Sequence, residues 1–214
     1  MFCGMSPDNL AAFDQLGVQM AVPKGTVLFQ ENEPAAMVAV LCAGQVKLSC
    51  TSRAGKTLIL KIASPGNVLG LGAVISGTPY EVTAEALEPV TLKNIRKAEF
   101  LAFLAMHGEA SMHAARSLSE DYKSAFFDVR RLALAPSAAG RIATVLLDWG
   151  RSVRCEEGQL HFTMALTHEE LANLAGTSRE TVTRVLGRLV REKLIRINGA
   201  VVTLLEPEKL AALG

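Results

Sequence analysis

Three patterns in the 214-residue sequence predict an α+β fold. From Met20 to about Ile95, short apolar segments are broken by Gly25, Gly44, Gly55, Gly66 and Gly77 with no helical stretch between them. This predicts an N-terminal antiparallel β-roll of the jelly-roll kind. From Glu109 to Leu132, apolar residues recur at steps of three and four, which predicts one long dimerisation helix. From Thr167 onward, two short helical patterns meet at a glycine and are followed by a hairpin signal. That order predicts a C-terminal winged helix-turn-helix.

Bulk properties narrow the class. Half the residues are apolar, charge is moderate, and the formal net charge is only +1. No uninterrupted apolar run reaches the ~18 residues of a membrane span. The start, MFCGMSPDNL, has no basic segment leading into an apolar one, so no signal peptide is expected. The four cysteines, Cys3, Cys42, Cys50 and Cys155, are scattered rather than spaced as a secreted disulfide framework. A soluble, cytoplasmic protein without a membrane partner is expected. With so little net charge, any affinity for nucleic acid has to come from a local patch.

Residues 6–20, SPDNLAAFDQLGVQM, read as a short capped helix ahead of the roll. Within the roll, a two-residue turn at Ala43-Gly44 would put Met37, Ala39, Leu41, Val46, Leu48 and Cys50 on one apolar face. Cys42 would then point the other way with Gln45 and Lys47, a register in which Cys42 and Cys50 cannot form a disulfide. Ala98 to Met106 reads as a short helix.

In the long helix that follows, Ala115, Leu118, Tyr122, Ala125, Val129 and Leu132 form a coiled-coil seam. About three heptads at 1.5 Å per residue give roughly 35 Å of helix. Met112, Phe126 and Phe127 lie off the seam and can pack on the roll, leaving the seam for a second subunit in a parallel homodimer. Ala135-Pro136-Ser137 ends the helix, because proline cannot continue it, and marks the hinge. Ser137 then caps a helix with Ile142, Val145, Leu146 and Trp149 inward, closed by Gly150. VRCEEGQLHFTMAL reads as a hairpin carrying Cys155 and His161, too few ligands for a metal site. The tail EPEKLAALG reads as a short surface helix.

The stretch THEELANLAGTSRETVTRVLGRLVR says most about function. Thr167 and Glu170 form a capping box, Leu171 and Leu174 give the first helix an apolar side, and Gly176 supplies the turn. Ser178 caps the second helix, in which Val182, Val185, Leu186 and Leu189 fall on one stripe. Small Ala172 lets the two helices cross closely. The opposite face carries Arg179, Glu180, Thr183, Arg184, Arg188 and Arg191. From Ser178 to Arg196 there are six Lys/Arg and two Asp/Glu, a local net charge of +4 on a chain of +1. The following LIRINGAVVTLL carries an Asn198-Gly199 type I′ hairpin signal and reads as a wing. A basic helix exposed beside a wing is suited to enter a DNA groove.

The run TSRETVTRVLGRLVREKLI with its wing resembles the DNA-binding domain of the Crp/Fnr transcription regulators. VPKGTVLFQENEPAAMVAVLCAGQVKLSC is similar to the opening of that family's cyclic-nucleotide-binding-like roll, so the resemblance covers nearly the whole chain. It implies a sensor domain over 1–106, a dimerisation helix and hinge over 107–135, and a DNA-binding domain over 136–214. It also implies that Arg179, Glu180 and Arg184 read base edges of a TGTGA-like half-site, while Ser178, Thr183 and Arg188 touch phosphates or methyls. The chemistry agrees, since Arg can donate twice to guanine and Glu can accept from cytosine, each contact worth about 1–3 kcal/mol of discrimination. DNA bending and contact with RNA polymerase are further implications. No nucleophile and base stand at a recognisable spacing, so an enzyme is not expected.

In nucleotide-binding relatives, the stretch corresponding to GNVLGLGAVISGTPYEVTAEAL holds a Gly-Glu pair for the ribose and an Arg-Ser pair for the cyclic phosphate. Here Gly70 matches, Leu71 stands for the Glu, and Tyr80 and Glu81 stand for the Arg and Ser. A phosphate buried without its cation, beside a carboxylate, would lose several kcal/mol. Cyclic AMP or GMP in the usual mode is therefore not expected, and a different small-molecule effector, or none, stays open. The family's iron–sulfur branch needs a cysteine cluster near the N-terminus, and Cys3 alone fails that ligand count. His107 and His113 read as caps or solvated groups near the long helix, while haem stays open. A redox role for Cys3 or Cys42 also stays open, although no adjacent basic residue lowers their pKa.

Overall fold

A computed structural model of the chain describes residues 4–135, 137–152, 160–164 and 166–213. It divides into two compact units, Met1–Ala125 and Phe126–Gly214. In the first, α1 (Pro7–Asp14) starts with Pro at N1, where its missing N–H is no loss. The helix is shorter than the reading of 6–20 expected, because Val18 to Met20 already belong to a strand, and the Ser6 side chain does not cap it.

Eight strands build the roll: β1 (Val18–Val22), β2 (Val27–Phe29), β3 (Met37–Ala43), β4 (Val46–Thr51), β5 (Thr57–Ala63), β6 (Val68–Leu69), β7 (Thr83–Ala86) and β8 (Val90–Arg96). They form two four-stranded antiparallel sheets, in the orders β1-β8-β3-β6 and β2-β7-β4-β5. Val38, Leu41, Leu92 and Ile95 of one sheet and Val46, Ala63 and Ala84 of the other are buried in one core. A short helix, α2 (Leu71–Ser76), and α3 (Lys97–Met106) pack on β3 from outside the sandwich. Covered from both sides, β3 buries Val38, Ala39, Val40 and Leu41 in succession instead of alternating.

The expected β3–β4 hairpin is not formed. The two strands lie in different sheets, and the chain crosses between them at Gly44 and Gln45. Ala39, Leu41 and Val46 are buried as the one-face reading required, but Met37, Leu48 and Cys50 are only half-buried. Cys42 is exposed at an irregularity of the β3–β8 pairing.

The long helix α4 spans Gly108–Leu134. Its first turns bury Ala110, His113 and Ala114, and Leu118 packs against the roll core. Asp121 accepts a 2.5 Å hydrogen bond from Lys61 of β5. Met112 does not fill the role expected of it, being 56% exposed, and Phe126 and Phe127, in the second unit, are 55% and 67% exposed. The small residues Ala110 and Ala114 bring the helix backbone close to the roll.

In the second unit, α5 (Ala138–Ser152) starts at Ser137, whose hydroxyl accepts from the Gly140 N–H at 3.0 Å. Ile142, Val145 and Leu146 face inward, and the half-buried Trp149 meets Phe162 edge-on. Gly150 does not close this helix, which runs on to Ser152. A Cβ there would stand 2.7 Å from Leu204 Cδ1, so the glycine serves close packing instead. Pro136 and the first arm of the expected VRCEEGQLHFTMAL hairpin, with Cys155, lie outside the described residues, as does Cys3. The second arm, β9 (Leu160–Thr163), pairs with β11 (Val201–Leu204) in a sheet ordered β10-β11-β9, where β10 is Ile195–Asn198. The tail helix α8 (Pro207–Ala211) packs on α5 and buries Leu210, so it is more than a surface helix.

The chain's start is anchored by Glu109 at the beginning of α4. Its carboxylate accepts from the Ser6 hydroxyl (2.6 Å), the Ser6 N–H (2.8 Å) and the Asn9 amide. Those bonds, the Ser6 hydroxyl first and then Asn9, hold the Glu109 carboxyl below the usual glutamate range. A depressed folded pKa means that the anchor is fully present above the ordinary glutamate value and is lost as pH falls through the lower folded one. The Ser6 amide should be protected relative to its intrinsic exchange rate near neutral pH, lose that protection at acid pH along the titration, and show none at any pH in Glu109→Ala. Wild-type protection at Ser6 in that variant would contradict the anchor.

Candidate nucleic-acid interface

The interface is built on α6 (His168–Ala175) and α7 (Arg179–Arg191). Thr167 and Glu170 form a reciprocal capping box, the Thr167 hydroxyl accepting at 3.2 Å and the Glu170 carboxylate at 2.9 Å. At the C-cap, Gly176 has φ +60°, and a Cβ there would lie 2.9 Å from Leu132 Cδ2. Any other residue would add left-handed strain to that contact. Arg141 of α5 secures the same turn, its Nε donating to the Ala175 carbonyl at 2.7 Å and its Nη2 to that of Gly176 at 3.4 Å. This places a cation at the C-terminal end of α6, where the helix dipole favours it.

The Ser178 hydroxyl caps α7, accepting from the Thr181 N–H at 3.3 Å. Val182, Val185, Leu186 and Leu189 are buried, each contributing about 1.5–3 kcal/mol when fully removed from water. The helix ends in a Schellman turn: Leu194 N–H donates to the Leu189 carbonyl and Lys193 N–H to that of Val190, with Lys193 at φ +55°. In the wing, Asn198 pairs with Val201, so Gly199 and Ala200 make the turn, one residue later than Asn198-Gly199. Only Gly199 of the two has positive φ, at +58°, which fits type II′ and not the expected type I′.

Ser178, Arg179, Glu180, Thr183, Arg184 and Arg188 are all exposed. The backbone N–H of Glu180, then the Ser178 hydroxyl and the charge of Arg179, hold the Glu180 carboxyl below its ordinary value. It stays ionised and able to accept a hydrogen bond in the middle of a basic surface. Arg188 is joined to Glu192 one turn on, at 2.7 Å, an exposed pair worth about 0.3–0.5 kcal/mol that a phosphate could replace. Two participants are not visible in the sequence. Arg141 reaches the turn across the domain, and His168 Nδ1 lies 2.9 Å from the Thr183 hydroxyl, joining the start of α6 to the exposed face of α7. Both are tertiary contacts with no local signature.

Gly70, at φ +76°, precedes α2, and a Cβ there would meet Tyr80 Cε1 at 2.8 Å. Tyr80 is buried, stacked on Phe29 at 4.0 Å, with its hydroxyl donating to the Met37 carbonyl (2.7 Å) and accepting from the Met37 N–H (3.2 Å). Leu71 is buried in the core, and Glu81 is exposed. Of the two histidines, His107 is the C-cap of α3, its N–H donating to the Phe103 carbonyl, whereas His113 departs from the expected caps and solvated groups. His113 is buried, and the His107 ring lies tilted against Phe103 at 4.3 Å with its Nδ1 2.7 Å from the Asn9 side-chain oxygen. Among the described residues no group of three His, Cys, Asp or Glu is placed to hold a metal, and no helix is long and apolar enough to cross a membrane.

A roll, a long helix and an exposed basic helix-turn-helix with a wing define a DNA-binding transcription regulator. Residues 19–107 match the Cyclic nucleotide-binding domain family, and 140–213 match the Crp-like helix-turn-helix domain family. The chain is 31% identical over 173 residues to the transcriptional regulator SdrP of Thermus thermophilus, covering 79% of this chain and 80% of that one. It is 27% identical over 212 residues to the CRP-like cAMP-activated global transcriptional regulator of Mycobacterium tuberculosis, covering 99% and 94%. Its fold is similar to that of FixK2 from Bradyrhizobium japonicum, with a TM-score of 0.82 at 21% identity over 92% of this chain and 97% of that one. The chain belongs to the Crp/Fnr family of transcription regulators.

The turn at Gly176 is the most constrained point of the interface. Gly176→Ala should destabilise the C-terminal unit by about 1–3 kcal/mol, from left-handed strain plus the crowding of Leu132. Thermal unfolding followed by Trp149 fluorescence measures this, and an unchanged midpoint would show that the turn relaxes without cost.

Proposed function

We propose that the protein is a homodimeric, sequence-specific transcription regulator that reads a TGTGA-like palindrome through Arg179, Glu180 and Arg184. The observation that carries this reading is an ionised glutamate flanked by two exposed arginines on a helix whose other side is fully buried. Arginine is matched to guanine O6 and N7, and a carboxylate to cytosine N4. Ser178, Thr183 and Arg188 would touch phosphates or methyls and fix register, Thr183 through its methyl because its hydroxyl proton goes to the Arg179 carbonyl. Two copies of α7 about 34 Å apart would read the two half-sites of a palindrome.

Pairing of two chains is supported by the exposed apolar side of α4, where Tyr122, Phe126 and Val129 are 65%, 55% and 63% exposed. Ala115 and Ala125 lie along the same side by their spacing. Leu118 and Leu132 are half-buried at its margin, so in the proposed seam they join contacts within a chain to contacts between chains. A signal reaching the roll would change packing along this seam and the spacing of the reading helices, a two-state mechanism. Tyr80 and Glu81 favour a roll that does not take cyclic AMP in the usual mode. The effector would be another small molecule, haem or a redox signal, or the regulator acts without one. Action in the cytoplasm, DNA bending and contact with RNA polymerase complete the proposal.

Fluorescence anisotropy on a duplex bearing a TGTGA palindrome tests the reading. Binding should be salt-dependent, and Arg184→Ala should cost about 1–3 kcal/mol on the matched site while relaxing choice at one base pair. Equal loss on an unrelated duplex would show that Arg184 holds only phosphate. Tyr122→Asp combined with Phe126→Asp should give monomers by light scattering, with weakened palindrome binding. A dimer surviving both substitutions would remove α4 as the seam.

A further inference from the structure

Beside Thr183 the surface presents a titratable edge that the reading helix does not supply. His168 is the first residue of α6, is exposed, and has Nδ1 2.9 Å from the Thr183 hydroxyl. That hydroxyl has one proton, and it is donated to the Arg179 carbonyl at 3.1 Å. The Thr183 oxygen therefore accepts from His168, so Nδ1 carries the hydrogen. This fixes the tautomer and leaves Nε2 as the working edge of the ring. In the neutral ring Nε2 is an acceptor, which a phosphate oxygen would repel. In the imidazolium it is a cationic donor, which a phosphate oxygen binds.

We infer that His168 is a proton-dependent phosphate-binding residue of the DNA interface, held by Thr183 so that its imidazolium form contacts the duplex. The inference rests on the DNA-reading function proposed above and adds a contact from α6 to those of α7. The charged groups on the two flanking elements are Glu169 and Glu170 on α6 and Arg179, Glu180, Arg184, Arg188 and Arg191 on α7. Glu170 is engaged by Thr167, and Glu180 by Ser178. A phosphate arriving at Nε2 adds a full negative charge that favours the imidazolium. The DNA-bound form thus holds more protons than the free form, so affinity rises as pH falls. One proton taken up on binding changes affinity by up to about tenfold per pH unit.

The test uses the full chain and anisotropy at constant ionic strength, from about pH 5.5 to about pH 8, the range in which histidine titrates. Two duplexes are used, one bearing the TGTGA palindrome and one with the same bases scrambled, because a phosphate contact acts on both. The wild type should tighten several-fold on each duplex as pH falls. His161→Gln, which alters the exposed histidine of β9, should keep that slope. His168→Gln should lose it, and at low pH its plot of log affinity against log salt should be shallower than the wild type's by about 0.9, one phosphate contact. His168→Lys, a permanent cation, should bind at high pH as the wild type binds at low pH. A wild-type pH slope retained in His168→Gln, or a wild type indifferent to pH, overturns the inference while leaving the DNA-reading function standing. Failure of the wild type to bind either duplex at any pH overturns that function and the inference with it.

Discussion

The interface depends on one backbone constraint, the left-handed turn at Gly176. Only with φ near +60° does the chain leave α6 and enter α7 within three residues while keeping the two helices in contact. Leu132 fills the space that a side chain would need, and Arg141 bonds the carbonyls that the end of α6 leaves unpaired. The strain is small beside what it permits, since burying Val182, Val185, Leu186 and Leu189 contributes several kcal/mol. Because that stripe is committed inward, the residues a hundred degrees or more round the helix have no choice but solvent. The arginines are exposed because the valines and leucines are not.

Charge follows the same logic. The chain as a whole is almost neutral, so long-range attraction for a polyanion is weak and the local excess on α7 has to supply it. A glutamate amid arginines would ordinarily reduce that excess to no purpose. Glu180 is instead held ionised by the N–H groups and cap at the start of its helix. An acceptor fixed beside two donors can discriminate among base edges, whereas a uniformly cationic helix could only grip phosphate. Arg188, already neutralised by Glu192, fits a positioning role better than a reading one.

What could be read from the sequence was what is locally encoded. The capping box at Thr167 and Glu170, the serine cap and the apolar stripe of α7 all lie within a few residues of each other, and each has the predicted geometry. The jelly-roll class was also legible from the glycine-punctuated strands, although the stretch expected to hold no helix contains α2. Features decided by distant partners were not. Met37 to Cys50 reads as a hairpin because its pattern alternates, yet β8 claims β3 and β7 claims β4. Gly150 reads as a helix stop but is required by Leu204, far along the chain. Phe126 and Phe127 read as packing residues because they lie off the seam, yet they are exposed, while the small Ala110 and Ala114 are the residues of α4 buried in the roll core. Lys193 ends α7 in a conformation for which glycine would have been the signal.

Tyr80 carries the last consequence, for the roll. Its ring occupies the space that Gly70 leaves by lacking a side chain, and its hydroxyl both gives and takes a hydrogen bond at the backbone of Met37. A ligand entering here would have to unstack the ring from Phe29 and break both bonds, exposing polar backbone groups at about 1–3 kcal/mol apiece. A cyclic phosphate offers nothing in return, having neither an aromatic edge for Phe29 nor, with Glu81 close by in sequence, a favourable charge. An effector compatible with this roll therefore either leaves Tyr80 in place and acts at the surface, or replaces the ring with an apolar group of its own.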